Sequence, residues 1–171
     1  ALMPTRRLLI LGLASLVAAC SPQGPPPGQA TTPAELTRSA ILSAINGVRK
    51  ANGRPPLSWN VTLASAARTQ ADLMAARDRM SHTLGGTLHE RMIAAGYHGA
   101  TGENLAAGQR TLEQAIQGWL DSPGHRATLL SDRFTEFGLA ATSVASGRTS
   151  RYGIYWAFIA GGSYAAWLGA P

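Results

Sequence analysis

Gly102-Glu103-Asn104-Leu105-Ala106 and Ser122-Pro123-Gly124-His125-Arg126 are the two stretches on which the reading of this chain turns. Upstream of them stands Ser81-His82-Thr83. Together the blocks spread two histidines and an acid over three separate segments. Local chain geometry gives no reason for such a spread, whereas a fold that gathers distant side chains into one site does. His82, Glu103 and His125 are therefore the first candidates for chemistry.

Helical and strand signals surround these blocks. Thr32-Pro33-Ala34-Glu35 reads as a capping box with Pro at the first helical position. It opens a helix with Ile41, Ala44, Ile45 and Val48 on one face, ending at Asn52-Gly53. A second helix is predicted over 61–80, with Leu63, Ala67, Ala71 and Met74 inward and Ser81-His82-Thr83 just past its end. Thr87-Leu88-His89-Glu90 is another capping box, opening a short helix to Ala95 with Leu88, Met92 and Ala95 as its stripe. A fourth helix starts at Thr111 with Leu112, Ala115, Ile116 and Trp119 on one side. Ser122-Pro123 starts a fifth, which puts His125 in a first turn.

The C-terminal third reads as two strands, 137–143 and 151–159, around a turn at Ser146-Gly147. Tyr152, Ile154, Trp156 and Phe158 share one face, and Tyr155, Ala157 and Ile159 the other. Apolar residues on both faces imply a sheet covered on both sides. The fold class is α+β, with an antiparallel hairpin late in the chain.

In this order the blocks resemble the CAP superfamily (cysteine-rich secretory proteins, antigen 5 and plant pathogenesis-related proteins), in its compact bacterial form. The resemblance runs from about residue 40 to 159 and is carried by Asn46-Gly47-Val48-Arg49, Pro56-Leu57-Ser58-Trp59, Ser81-His82-Thr83, Gly102 to Ala106, Trp119 to Arg126, and Tyr155-Trp156. Past Trp156, Ala157-Phe158-Ile159-Ala160 departs from the family pattern. The resemblance implies a three-layer α-β-α sandwich with a mainly antiparallel sheet. It also implies a cleft of two histidines and two acids, which here are His82, His125, Glu103 and Glu90.

Two neutral imidazoles are good ligands for zinc and similar divalent ions and leave coordination positions open. Carboxylates nearby can ligate, hold a water or orient the rings. Binding of modest affinity is expected, fading below about pH 6.5 as the histidines protonate. Each residue also has a purely structural reading. His82 suits a helix C-terminus as a cation. His125 can brace a tight turn, and Glu103 can accept backbone hydrogen bonds. Glu90, at the third position of its capping box, needs no site at all. His89, beside it, reads as a solvated bystander.

Signs of catalysis are thin. Ser81 adjoins His82, but a nucleophile and its base need mutual side-chain geometry, which adjacency does not supply. There is no Gly-x-Ser-x-Gly elbow and no His-Glu-x-x-His motif. If the protein is an enzyme, a metal-assisted hydrolase with Glu103 as general base is the version these residues allow. The leading expectation is a non-catalytic domain that recognises an envelope ligand (lipid, peptide or glycan). The alternatives are that hydrolase, acting on envelope material, and a lipid carrier.

The 171 residues suit one domain plus processing segments, and 45% hydrophobic content suffices for a core. Arg6-Arg7 followed by the apolar run Leu8 to Ala19 is a signal peptide, 1–19, too short to span a bilayer. Val17-Ala18-Ala19-Cys20 resembles a bacterial lipobox, so Cys20 is the expected lipidation site and membrane anchor. Thr5-Arg6-Arg7-Leu8-Leu9 also hints at twin-arginine export. Residues 20–33, rich in Pro and Gly, form a tether, and 34–171 the domain. Cys20 is the single cysteine, so the domain holds no disulfide despite an exported location.

Without Arg6 and Arg7, the 15 basic residues fall to 13, against 9 acidic. The arginines are scattered singly, which argues against nucleic acid as partner. A mild attraction to anionic lipid or cell-wall polymer is the more natural consequence. A monomer is expected.

Overall fold

A computed structural model describes residues 30–169. The expected signal peptide, Cys20 and most of the expected tether lie outside the described residues. Five helices and four strands follow one another as α1 (Arg38–Ala51), β1 (Ser58–Trp59), α2 (Val61–Arg77), α3 (Leu88–Ala94), β2 (Ala100–Ala107), α4 (Leu112–Asp121), α5 (Pro123–Leu129), β3 (Glu136–Ser143) and β4 (Ile154–Gly162). The sheet runs β1-β3-β4-β2, antiparallel except for the short β1–β3 pair.

Alternation along the strands divides the core in two. Phe137, Leu139 and Ala141 of β3, with Trp156, Phe158 and Ala160 of β4, face α1, α4 and α5. Ala140, Tyr155, Ala157 and Ile159 face α2 and α3. The result is the expected α-β-α sandwich, in which β4 is buried on both sides. Among the described residues no helix is long and apolar enough to cross a membrane.

Four boundaries differ from the sequence reading. The Thr32–Glu35 capping box closes a separate 3-10 turn, Pro33–Glu35, while α1 carries its own cap at Thr37, whose hydroxyl accepts from the Ala40 N–H. Helix α2 stops at Arg77 because Asp78 adopts a left-handed conformation and its carboxylate takes hydrogen bonds from Ser150, Tyr155 and the Arg151 N–H. β4 starts at Ile154, leaving Tyr152 outside the ladder and half-exposed, and runs on to Gly162 through the stretch that departs from the family pattern. Finally, 100–107 is a full strand, pairing with β4 from Ala100↔Gly162 to Ala107↔Tyr155.

Several of the motifs that carried the resemblance act as clamps. The Asn46 amide brackets the Leu57 backbone, donating to its carbonyl (3.0 Å) and accepting from its N–H (2.8 Å). Arg49, fully buried, donates to the carbonyls of Pro55 (2.8 Å) and Leu129 (2.7 Å). Burial lowers its pKa to about 10. The indoles of Trp119 and Trp156 donate to the carbonyls of Leu105, within β2, and Gln109, in the loop that follows it.

Candidate functional site

The site is assembled on β2, an edge strand whose neighbouring residues point to opposite layers. Glu103 shares its parity with Leu105, on the α2–α3 side, and Asn104 with Ala106, on the α1–α4–α5 side. Two consecutive residues therefore reach the two histidine-bearing segments from one strand. Gly102 is small for a reason: a Cβ there would lie 2.9 Å from both Phe134 and Thr128.

Glu103 is the centre. Its side chain is 2% exposed, and both carboxylate oxygens are engaged. Oε1 lies 2.8 Å from Nδ1 of His82, and Oε2 accepts from Nη2 of Arg91 at 2.8 Å. A buried carboxylate needs such partners, since leaving it unpaired costs several kcal/mol. Arg91 also donates to the His82 carbonyl (3.1 Å) and, through Nε, to the Gly86 carbonyl (3.3 Å). One guanidinium thus binds the acid and the backbone of the histidine that the acid orients.

The His82 side chain is 56% exposed, so its ring is held at one end and open to solvent at the other. With the Nδ1 proton on Glu103, Nε2 is the nitrogen left for a ligand. Its loop is anchored from below by the buried Gln70, which donates to the Ser81 carbonyl at 2.7 Å. The Ser81 hydroxyl is 3.2 Å from that of Thr83 and accepts from the Thr83 N–H. It is occupied locally and makes no hydrogen bond to His82.

His125 lies in the first turn of α5, as its sequence position requires. Nδ2 of the buried Asn104 donates to its carbonyl at 2.8 Å, tying that turn to β2. Burial lowers the pKa of the ring, and the nearby charge of His82 lowers it further. Both causes favour the neutral form of the ring.

Glu90 has a different employment. Its carboxylate accepts from the N–H (2.8 Å) and hydroxyl (2.9 Å) of Thr87, whose hydroxyl accepts from the Glu90 N–H. These bonds, the backbone one foremost, hold its pKa below the usual carboxylate range. The structure gives Glu90 no hydrogen bond to His82, Glu103 or His125, and places it on the wall of a depression between α2 and α3. Among the described residues no group of three or more His, Cys, Asp or Glu is positioned to hold a metal ion. His82 and His125 are near enough for the charge of one to act on the other, and Glu103 lies behind His82.

Arg91, Asn104 and Gln70 position the site, and sequence reasoning did not single them out for that role. Gln70 had a signal: it is a polar residue on the inward stripe of α2, between Ala67 and Ala71. Arg91 and Asn104 were marked only by the resemblance, Arg91 as the arginine after the acid in Glu90-Arg91 and Asn104 within the Gly102 to Ala106 block, with no role attached to either.

The fold defines a class. A family model described as the CAP, cysteine-rich secretory protein family matches residues 42–159, and the chain belongs to that family. It is 30% identical over 102 residues to YkwD of Bacillus subtilis (strain 168), an uncharacterised protein, covering 58% of this chain and 40% of that one. The same identity over the same length relates it to the uncharacterised membrane protein YlbC of that organism, 30% of whose length is matched.

Two solved structures share the fold. An extracellular protein containing an SCP domain from Bacillus anthracis str. Ames superposes with a TM-score of 0.62 at 26% identity, over 73% of this chain and 40% of that one. An outer surface protein from Borrelia burgdorferi gives 0.62 at 24% identity, over 73% and 91%.

Proposed function

We propose that this is an exported CAP domain, held at the cell envelope through Cys20, whose His82/His125 cleft binds a divalent metal, zinc best, and recognises an envelope ligand. The observation that carries this reading is the buried Glu103 carboxylate on Nδ1 of a half-exposed histidine. A carboxylate behind a histidine fixes its tautomer and strengthens it as a ligand. His125, whose neutral form is favoured by burial and by His82, supplies a second imidazole. A bound zinc ion would supply Lewis acidity and open positions for ligand groups. Two protein ligands make a site of modest affinity.

Recognition is favoured over hydrolysis by the saturation of Glu103. Its carboxylate is 2% exposed with a partner on each oxygen, which leaves it poorly placed to take a proton from an attacking water. The export part of the proposal draws on the signal-like N-terminus and on the extracellular and outer-surface descriptions of the two structural relatives. A lipid-carrier reading has one observation in its favour, the open depression of about 690 Å³ between α2 and α3, walled in part by Ala66, Leu73, Ala94 and Ala95. Lipid co-purifying with the protein would move the choice toward it.

The test is calorimetric titration of zinc into the protein and into the His82→Ala/His125→Ala variant. Saturable binding by the wild type, absent from the variant and lost on acidification, is the expected result. Equal binding by both, or none by either, would sink the metal site. A Glu103→Gln variant is expected to bind more weakly by about 10–100-fold, the usual loss when the group behind a ligand is changed.

A further inference from the structure

A second face of α5 carries a different chemistry. Pro123, Arg126, Ala127 and Leu130 follow one another at helical spacing and wall an open depression of about 610 Å³, closed on its other sides by Arg54, Arg133 and Trp167. Three arginines meet here and one acid, Asp132, which is 3.6 Å from Arg54. Arg126 has no carboxylate partner among the described residues. Arg133 lies over the Trp167 ring, 4.9 Å from its centre, and that ring rests against Phe134 at 5.2 Å.

Beside the arginines the chain leaves β4 through a 3-10 turn, Tyr164–Ala166, and shows apolar side chains to solvent. Tyr164 is 49% exposed, Trp167 41% and Leu168 83%. Clustered exposed apolar groups mark a contact surface, whereas single ones need no explanation. Aromatic rings with polar tips next to arginines, flanking a bare leucine, are the composition that sits at a membrane interface. There the rings and Leu168 enter the headgroup boundary and the guanidiniums meet lipid phosphates.

We propose that this face docks the domain onto an anionic phospholipid surface. Charge complementarity selects that occupant: the depression is cationic, the chain without Arg6 and Arg7 carries 13 basic against 9 acidic residues, and a neutral protein groove would leave Arg126 and Arg133 unanswered. The cation–π pair is already formed, so Trp167 and Arg133 are presented together without ordering cost. The stripe Pro123-Arg126-Ala127-Leu130 omits His125, so the docking face and the histidine cleft use different sides of α5. The proposal does not depend on lipidation of Cys20.

Tryptophan quenching by brominated lipid tests it on the full chain. Residues 1–29 contain no tryptophan, so the signal comes from the domain. Trp119 and Trp156 are buried and Trp59 packs edge-on against Phe137 with Arg38 over its ring, so Trp167 is the ring carried by this face. Vesicles of phosphatidylcholine mixed with phosphatidylglycerol are expected to quench it, vesicles of phosphatidylcholine alone to leave it unchanged, and added salt to reverse the effect. Each arginine at an anionic surface is worth about fivefold in partitioning, so Arg126→Glu/Arg133→Glu is expected to lose well over tenfold. Leu168→Ser, at a site too exposed to threaten folding, is expected to weaken quenching, and Trp167→Phe to abolish it. Equal quenching by both vesicle types, quenching that survives in Trp167→Phe, or indifference to the arginine and leucine substitutions would overturn the proposal. So would a soluble poly(glycerol phosphate) that perturbs Trp167 while anionic vesicles do not.

Discussion

On one face of the sheet, α1, α4 and α5 meet Trp119, Phe137, Trp156 and Phe158, all essentially inaccessible. On the other, α2 lies on Ala140 and Ala157 with its own Ala67 and Ala71. The first layer is thick, held by large rings whose centroids are 5.6–5.8 Å apart. The second is thin. A Cβ on Gly138 would fall 2.0 Å from the Ala64 nitrogen, so helix and strand backbones nearly touch there. Buried area secures the aromatic side, and closeness sets the position of the alanine side. The histidines are divided accordingly, His82 following α2 and His125 opening α5, with β2 holding both.

The largest break in this contrast is Trp156→Ala, which removes a ring from the centre of the thick layer and is expected to cost about 3–5 kcal/mol in urea unfolding. Gly138→Ala attacks the thin layer in the opposite way, by adding volume where there is none. It is expected to cost toward the upper end of about 1–3 kcal/mol, and to move α2. A shift in the His82 ring resonances in Gly138→Ala, absent from other variants of equal instability, would show that backbone contact fixes the site. Their absence in Gly138→Ala would refute it.

The smallest effect is electrostatic and joins the two sides. In metal-free protein, His125 is expected to titrate below the ordinary histidine value of about 6.5. His82→Ala should raise that midpoint part of the way, since burial, the larger cause, remains. The sign follows directly. Below about pH 6.5 the unfolded chain takes up a proton that the folded chain refuses, so His125 lowers stability as the pH falls toward its folded midpoint. Proton-detected titration of both rings measures this, and an unchanged His125 midpoint in His82→Ala would mean that the two charges do not interact.

Much of the architecture was legible because periodicity is a local property. The stripes of α1 and α4, both capping boxes and the two-sided burial of β4 were readable from spacing alone. β2 was not, because Ala-Thr-Gly-Glu-Asn-Leu-Ala-Ala carries little β-branched or aromatic residue to mark a strand. Its side chains were chosen for what they reach: Gly102 for clearance, Glu103 for His82 and Arg91, and Asn104 for the His125 carbonyl. For the same reason the histidines and Glu103 could be named in advance, with the help of the family resemblance, while their other supports could not. Arg91 and Asn104 act through partners 12 and 21 residues away, and no local pattern encodes such a pairing.

Thr31 is fastened twice to the start of α4, its N–H donating to the Glu113 carboxylate and its carbonyl accepting from the Leu112 N–H, each at 2.9 Å. Tension applied from the N-terminal side of the chain is met first by these two bonds, and so by the N-terminus of α4, ahead of the 3-10 turn and α1. The pull is thereby taken up on the aromatic layer, the opposite side of the sheet from α2.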